Sequence, residues 1–216
     1  VSQNFTMKAL PWNDLTFTGI FANIDASMCS GGSNNDLIFV FGGAFDYNSF
    51  TYKYDISKQQ WTDVRNDFWG YCAITLPDNT ILYIGGTFFG INLPLNSNTT
   101  GPTPPGRHDF SAVLTSDKRI IIFGGYGDTS SLGDLWILDI TTYQWSAGTI
   151  LNPNGLILNG HTANLVDNYM IVAFGAYGWN FNFSSTIYML DVSQRDSYKW
   201  VTEFNSSTTN FKELNP

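Results

Sequence analysis

The sequence predicts an all-β fold: a β-propeller of four-stranded antiparallel blades, with about four blades present as part of a larger or incomplete ring. Three observations carry this. The first is a bulky apolar run ending in glycine that recurs as LIFVFGGAF (37–45), TILYIGGTF (80–88), RIIIFGGYG (119–127) and MIVAFGAYG (170–178). Counted along the chain, the last copy has Ala176 where the others have a second glycine. Neighbouring copies lie about 40–50 residues apart, the length of a four-stranded blade. The second is the frame around each run. A small residue precedes it at one fixed offset, namely Cys29, Cys72, Ser111 and Thr162. After the first, third and fourth runs comes a strand-like segment closing on Asp55, Asp139 or Asp191, then Trp61, Trp145 or Trp200. The third is composition. Aromatics make up 16%, charged residues only 13%, and there are 20 glycines in 216 residues. Half-buried pleated surfaces favour aromatics, and tight turns need glycine.

Each unit therefore reads as strand a (small residue), strand b (apolar, then glycine), strand c (apolar, then Asp) and strand d (Trp). The blades fall at about 27–65, 70–105, 107–148 and 160–204, and residues 1–25 carry a lone outer d strand at Trp12. The second unit departs from the plan. After Gly85-Gly86 it runs TFFGINLPLNSNTTGPT, with no Trp and no clear c strand. A lone blade cannot bury both faces, so blades stack around an axis. The glycines suit this, because a residue without Cβ permits positive φ or close backbone approach at a strand end. A phosphate-cradling loop would need a helix after the glycines and a Lys, and neither is present.

A bulky residue before Gly-Gly, a Tyr/Trp-x-x-Asp strand and a later Trp resemble the kelch repeat. PPGRHDFSAV (104–113) is similar to that family's Pro- and Arg-bearing approach to strand a. The resemblance covers nearly the whole chain and implies a non-catalytic scaffold for protein–protein recognition. Kelch-like propellers also carry galactose-oxidase-like copper radical sites, which need two His, two Tyr and a Tyr–Cys crosslink. The chain has two histidines, and Tyr71 and Cys72 are adjacent in a strand and point to opposite faces. His161 aligns with packing positions of strand a, and His108 reads as a surface residue. No catalytic residue, metal site or cofactor is assigned. The recurring Asp55, Asp139 and Asp191 read as turn chemistry.

A net charge of −8 and a pI near 4.4 repel phosphate backbones and give no polybasic pull towards lipid. No apolar run is long enough for a membrane helix. Two cysteines are too few for a disulfide framework, and both read as unpaired core thiols. Four N-x-S/T sequons, at Asn4, Asn98, Asn182 and Asn205, are glycosylation candidates, although chance alone gives about four in so Asn/Ser/Thr-rich a chain. Their place in loops and tails is compatible with a secreted or cell-surface protein and leaves the compartment open.

Because strands alternate in direction, the b–c and d–a loops emerge on one face, and the b–c loops bring aromatics directly after the glycines. Asp46, Tyr47, Phe88, Tyr126, Asp128, Tyr177 and Trp179, with Arg107 from a d–a loop, are the candidate ligand contacts. A protein is the expected partner and carbohydrate the alternative. Self-association is a further expectation if the ring is incomplete.

Overall fold

The computed structural model describes residues 27–31, 36–41, 50–65, 72–78, 80–85, 87–88, 91–92, 99–178 and 182–205. All regular structure in them is β, as the sequence predicts. Blade 1 comprises β1 (Ser27–Gly31), β2 (Leu37–Phe41), β3 (Phe50–Asp55) and β4 (Gln60–Arg65). Blade 2 holds the pair β5 (Cys72–Thr75) and β6 (Ile81–Ile84), followed by a separate short hairpin of β7 (Thr87–Phe88) and β8 (Ile91–Asn92). Blade 3 comprises β9 (Ser111–Leu114), β10 (Arg119–Phe123), β11 (Leu135–Asp139) and β12 (Gln144–Gly148). Blade 4 comprises β13 (Thr162–Val166), β14 (Tyr169–Ala173), β15 (Ile187–Asp191) and β16 (Lys199–Val201). Blades 1, 3 and 4 are four-stranded antiparallel meanders in chain order. Their inner strands adjoin in the sequence β1, β5, β9, β13, which lines the blades up in a row. Among the described residues this row is open, with no comparable adjacency of β13 to β1. The lone outer strand expected around Trp12 lies outside the described residues.

Strand β10 shows why the chain carries RIIIF rather than an alternating pattern. All five of its residues are buried. Ile120 and Ile122 join Cys72, Ile74 and Ile84 in a layer between blades 2 and 3. Ile121 and Phe123 join Met170, Val172 and Leu158 in a layer between blades 3 and 4. A strand covered on both faces reads as a continuous apolar run. Each fully buried Ile contributes about 1.5–3 kcal/mol, so this strand is the centre of the core. Strand β13, covered on one side, instead alternates exposed and half-buried residues.

Pairing register corrects two alignments made by counting from the glycines. Ser111 pairs with Phe123, Cys72 with Ile84 and Thr162 with Ala173. Phe123 and Ala173 are therefore equivalent, so Gly124 matches Phe174 and Gly125 matches Gly175. The fourth unit replaces the first glycine, by Phe174, rather than the second by Ala176. The cause is the turn at Asp167-Asn168, which spans two residues between Val166 and Tyr169, whereas three separate Thr115 from Arg119. In blade 1 the partner of Phe41 is Ser27, so Ser27 takes the Cys72 position and Cys29 stands two residues further on, facing blade 2 beside Ala73. Cys72 faces blade 3 instead.

The recurring aspartates build turns. Asp55, Asp139 and Asp191 accept the backbone N–H of Lys58, Thr141 and Ser193 respectively. Hydrogen bonds from Thr141 hold the Asp139 carboxyl down at about 2. At the same end of the sheets Arg119, almost wholly buried, crosses from blade 3 to donate to the Val192 carbonyl (2.8 Å), the Gln194 carbonyl (3.1 Å) and Tyr198 Oη (2.8 Å) of blade 4. At the outer side, the Asn152 amide donates to the Trp200 carbonyl and accepts its N–H, both at 2.9 Å.

Candidate functional site

The candidate site is the rim where b–c and d–a loops meet. In blade 3 the d–a segment at His108 forms an antiparallel bridge with Tyr126 of the b–c loop, and Tyr126 bridges to Ser131. In blade 4 Asn159, Ala176 and Phe183 repeat the arrangement. In blades 3 and 4 these bridges set the d–a segment directly against the b–c loop. Main-chain bonds then tie the blades together. Gly125 N donates to Leu158 O (2.8 Å), Leu158 N to Leu132 O (3.2 Å) and Gly160 N to Asp109 O (2.8 Å). Ser131 Oγ donates to Asn159 Oδ1 at 2.8 Å. Between blades 3 and 4 the rim is thus a backbone-locked surface rather than a set of independent loops.

The glycines make this closeness possible. A Cβ on Gly124 (φ +63°) would stand 2.5 Å from the Leu158 carbonyl oxygen. A Cβ on Gly125 (φ +95°) would stand 2.7 Å from the His108 carbonyl oxygen. Gly124 is therefore the place where blade 3 admits the next blade's lead-in loop, and Gly125 the place where it admits its own.

Arg107 is the clearest departure from expectation. It was expected to reach a ligand, but its side chain is fully buried. Its guanidinium makes a two-pronged ion pair with Asp134 (2.6 and 2.9 Å) and donates to the carbonyls of Gly124 (3.1 Å) and Pro105 (3.2 Å). Trp136 Nε1 donates to the same carboxylate at 2.7 Å. Burial pushes the Asp134 carboxyl up, but the Arg107 guanidinium outweighs it and holds it below the ordinary carboxylate value. Arg107 therefore fixes the approach to strand a against the start of strand c. It stiffens the rim and presents no charge to a partner.

Of the other expected contacts, Tyr126 is half-buried and its ring lies 5.6 Å from that of His108, which in turn bonds Asp109 at 2.7 Å. Asp128 is exposed beside it. Tyr177 is half-buried, and its hydroxyl is engaged by Tyr188 Oη (2.7 Å) and Ser184 Oγ (3.1 Å). The structure brings Tyr126 and Asp128 together on blade 3, and Tyr177 onto the neighbouring b–c loop of blade 4. Asp46, Tyr47 and Trp179 lie outside the described residues, as does the side chain of Phe88, whose backbone is in β7. Of the sequon asparagines, Asn182 and Asn205 are exposed, and Asn4 and Asn98 lie outside the described residues. Sequence reading did not name His108, Asp109, Ser131 or Asn159 as ligand contacts. The signal was available in the repeat: His108 and Asn159 both stand two residues ahead of strand a's packing residue, Phe110 or His161.

His161 is a core residue, as its alignment with Phe110 implies. It is buried edge-on to Phe123, ring centroids 5.5 Å apart, and neither ring nitrogen makes a well-formed hydrogen bond among the described residues. Burial pushes the imidazole down to about 4, against the opposing pull of Asp109 and of the Phe123 and Leu158 backbone.

A row of four-stranded blades joined by glycine-dependent loop contacts defines a β-propeller repeat protein. The sequence profile of the KLHDC2/KLHL20/DRC7 kelch-repeats domain matches residues 94–212, and the chain belongs to the kelch-repeat family. It is similar to an F-box/kelch-repeat protein of Arabidopsis thaliana, 30% identical over 108 residues, 48% of this chain and 22% of that protein. A Rho GTPase-activating protein of Dictyostelium discoideum is 23% identical over 170 residues, 71% of this chain and 11% of that protein. Host cell factor 1 of Homo sapiens is 36% identical over 86 residues, 38% of this chain and 4% of that protein. The chain thus spans less than a quarter of the length of these relatives. No helix among the described residues is long and apolar enough to cross a membrane.

Proposed function

We propose that this chain is a non-catalytic binding scaffold that recognises a protein partner through the rim of b–c and d–a loops. The observation that carries the reading is the continuity of that rim. Main-chain bonds across the blade 3–4 seam hold Tyr126, His108 and Asn159 in fixed relation, with exposed Asp128 at the lip. Binding residues on loops held by a rigid scaffold lose little entropy on association. Tyr contributes contact area with a polar tip. Kelch-repeat relatives support the same class of role. Asp46, Tyr47, Phe88, Tyr177 and Trp179 complete the proposed face on the neighbouring b–c loops. Arg107 acts beneath it as a positioning residue.

Site-specific photo-crosslinking tests this. A photoreactive residue at Asp128 should capture a protein from native extract, and the same residue at Thr142, on the opposite end of blade 3, should not. Replacing Tyr126 and Trp179 with alanine should remove the Asp128 adduct while the thermal melt is unchanged. Adducts from Thr142 alone, or adducts indifferent to the alanines, would overturn the reading. Glycan-array binding without protein adducts would transfer the rim to carbohydrate.

A further inference from the structure

The chain contains two Asn-Gly pairs, Asn154-Gly155 and Asn159-Gly160, and both lie in the segment that leads into blade 4. Asparagine before glycine is open to attack from its own backbone. A residue without Cβ leaves its N–H nitrogen unhindered and its backbone torsions free. The attack joins that nitrogen to the asparagine Cγ in a succinimide ring. Identical dipeptides react alike in an unfolded chain, so a difference between them belongs to the fold.

Asn159 is held at backbone and side chain alike. Its N–H donates to the Ala176 carbonyl at 3.1 Å, and its carbonyl accepts the Ala176 N–H at 2.8 Å. Its Oδ1 accepts from Ser131 Oγ at 2.8 Å. The nucleophile itself, Gly160 N–H, is committed to the Asp109 carbonyl at 2.8 Å. Turning Asn159 so that Gly160 N meets its Cγ would break the bonds that tie blade 4 to blade 3.

Asn154 is placed in the opposite way. Residues 151–155 are exposed, and among the described residues the Gly155 N–H has no acceptor. Gly155 holds φ +70°, and a Cβ there would meet nothing within 4 Å. The Asn154 side chain curls back over the reacting peptide. Its Oδ1 accepts the Leu156 N–H at 3.1 Å, which polarises the carbonyl towards attack at Cγ. The loop is anchored on both sides, by Asn152 on Trp200 and by buried Leu156, so Asn154 can swing without unseating blade 4.

We propose that Asn154 is a self-modification site, converted by its own backbone and water to aspartate and isoaspartate, and that the fold protects Asn159 from the same reaction. The Gly155 nitrogen gives its proton to solvent and bonds to Asn154 Cγ. The Cγ–Nδ2 bond breaks, and Nδ2 leaves as ammonia with a proton from solvent. Water then opens the succinimide at either carbonyl. Nothing is oxidised or reduced: an amide and water become a carboxylate and ammonium. The product places a new negative charge on the approach to the rim. Isoaspartate also adds a main-chain carbon between the anchors at Asn152 and Leu156.

Incubating the folded chain at mildly alkaline pH, followed by peptide mapping with electron-transfer fragmentation, tests this. Asn154 should gain the mass of an amide-to-acid exchange at least about tenfold faster than Asn159, because Asn159 must first open locally. In concentrated urea the two rates should converge to within about threefold, because only the fold separates them. Gly155→Ala, which sets a Cβ beside the nucleophile without a clash, should slow the Asn154 reaction by roughly tenfold. Equal rates at the two asparagines of the folded chain would overturn the proposal, as would an Asn154 preference that persists undiminished in urea. So would a folded chain modified at neither position over an incubation that converts both in urea. A Gly155→Ala chain modified as fast as wild type would rule out the succinimide route.

Discussion

Phe174 and Gly124 occupy one and the same backbone position in successive blades, with φ of +65° and +63°. At Gly124 the next blade's Leu158 carbonyl would lie 2.5 Å from any Cβ, whereas Phe174 is half exposed. The same torsion is thus obligatory for glycine in one blade and merely strained in the other. Gly124→Ala should cost more than about 1 kcal/mol, from both the torsion and the clash. Phe174→Gly should raise monomer stability by about 1 kcal/mol, the order of the left-handed penalty. Urea unfolding of the two variants at low protein concentration checks both signs.

Removing one partner of the Arg107–Asp134 pair should be among the most damaging single changes. Asp134→Ala leaves a fully buried guanidinium with no counter-charge and also strips the Trp136 indole of its acceptor. Because the Asp134 side chain is 41% exposed, the loss should fall below the ~3–5 kcal/mol of a fully buried pair, at about 2–3 kcal/mol. Adding Arg107→Ala should cost less than the sum of the two single effects, a coupling that a double-mutant cycle in urea measures. The Asp134 carboxyl is lowered in the folded state, so its contribution is present above the unfolded carboxyl value and declines as acid titrates it.

His161 gives the fold an acid weakness in a different window. Its folded value is pushed down to about 4 from an ordinary 6.5. Between those values the unfolded chain binds a proton that the folded chain refuses, so stability falls as pH drops. The full difference is about 3 kcal/mol, reached near pH 4. His161→Phe, which restores the residue type of Phe110, should flatten the stability profile from pH 6.5 to 4. An unchanged profile in chemical denaturation would show that another group governs it.

Much of the architecture was legible because the repeat writes it several times. Ile121 and Ile122 face opposite seams, and an unbroken apolar run is the only pattern that serves both. Register was less legible. The turn at Asp167-Asn168 drops one residue, and counting from glycine then assigns the substitution to Ala176 instead of Phe174. Blade 1 errs in the other direction, and Cys29 moves two places from the slot it was expected to fill. Arg107 was correctly placed at the loop-rich end but pointed inward, because its partner Asp134 lies 27 residues away and nothing local announces the pair. The second blade defied the plan for a plain reason: its sequence holds no Trp, and its b–c region makes a private hairpin of β7 and β8.

The Asn152 side chain, giving one hydrogen bond to Trp200 and taking another, imitates a passing strand. It occupies main-chain groups of blade 4 that would otherwise invite a foreign polypeptide to zip on in cross-β fashion. The outer edge of blade 4 is thereby closed to lateral, fibril-like growth.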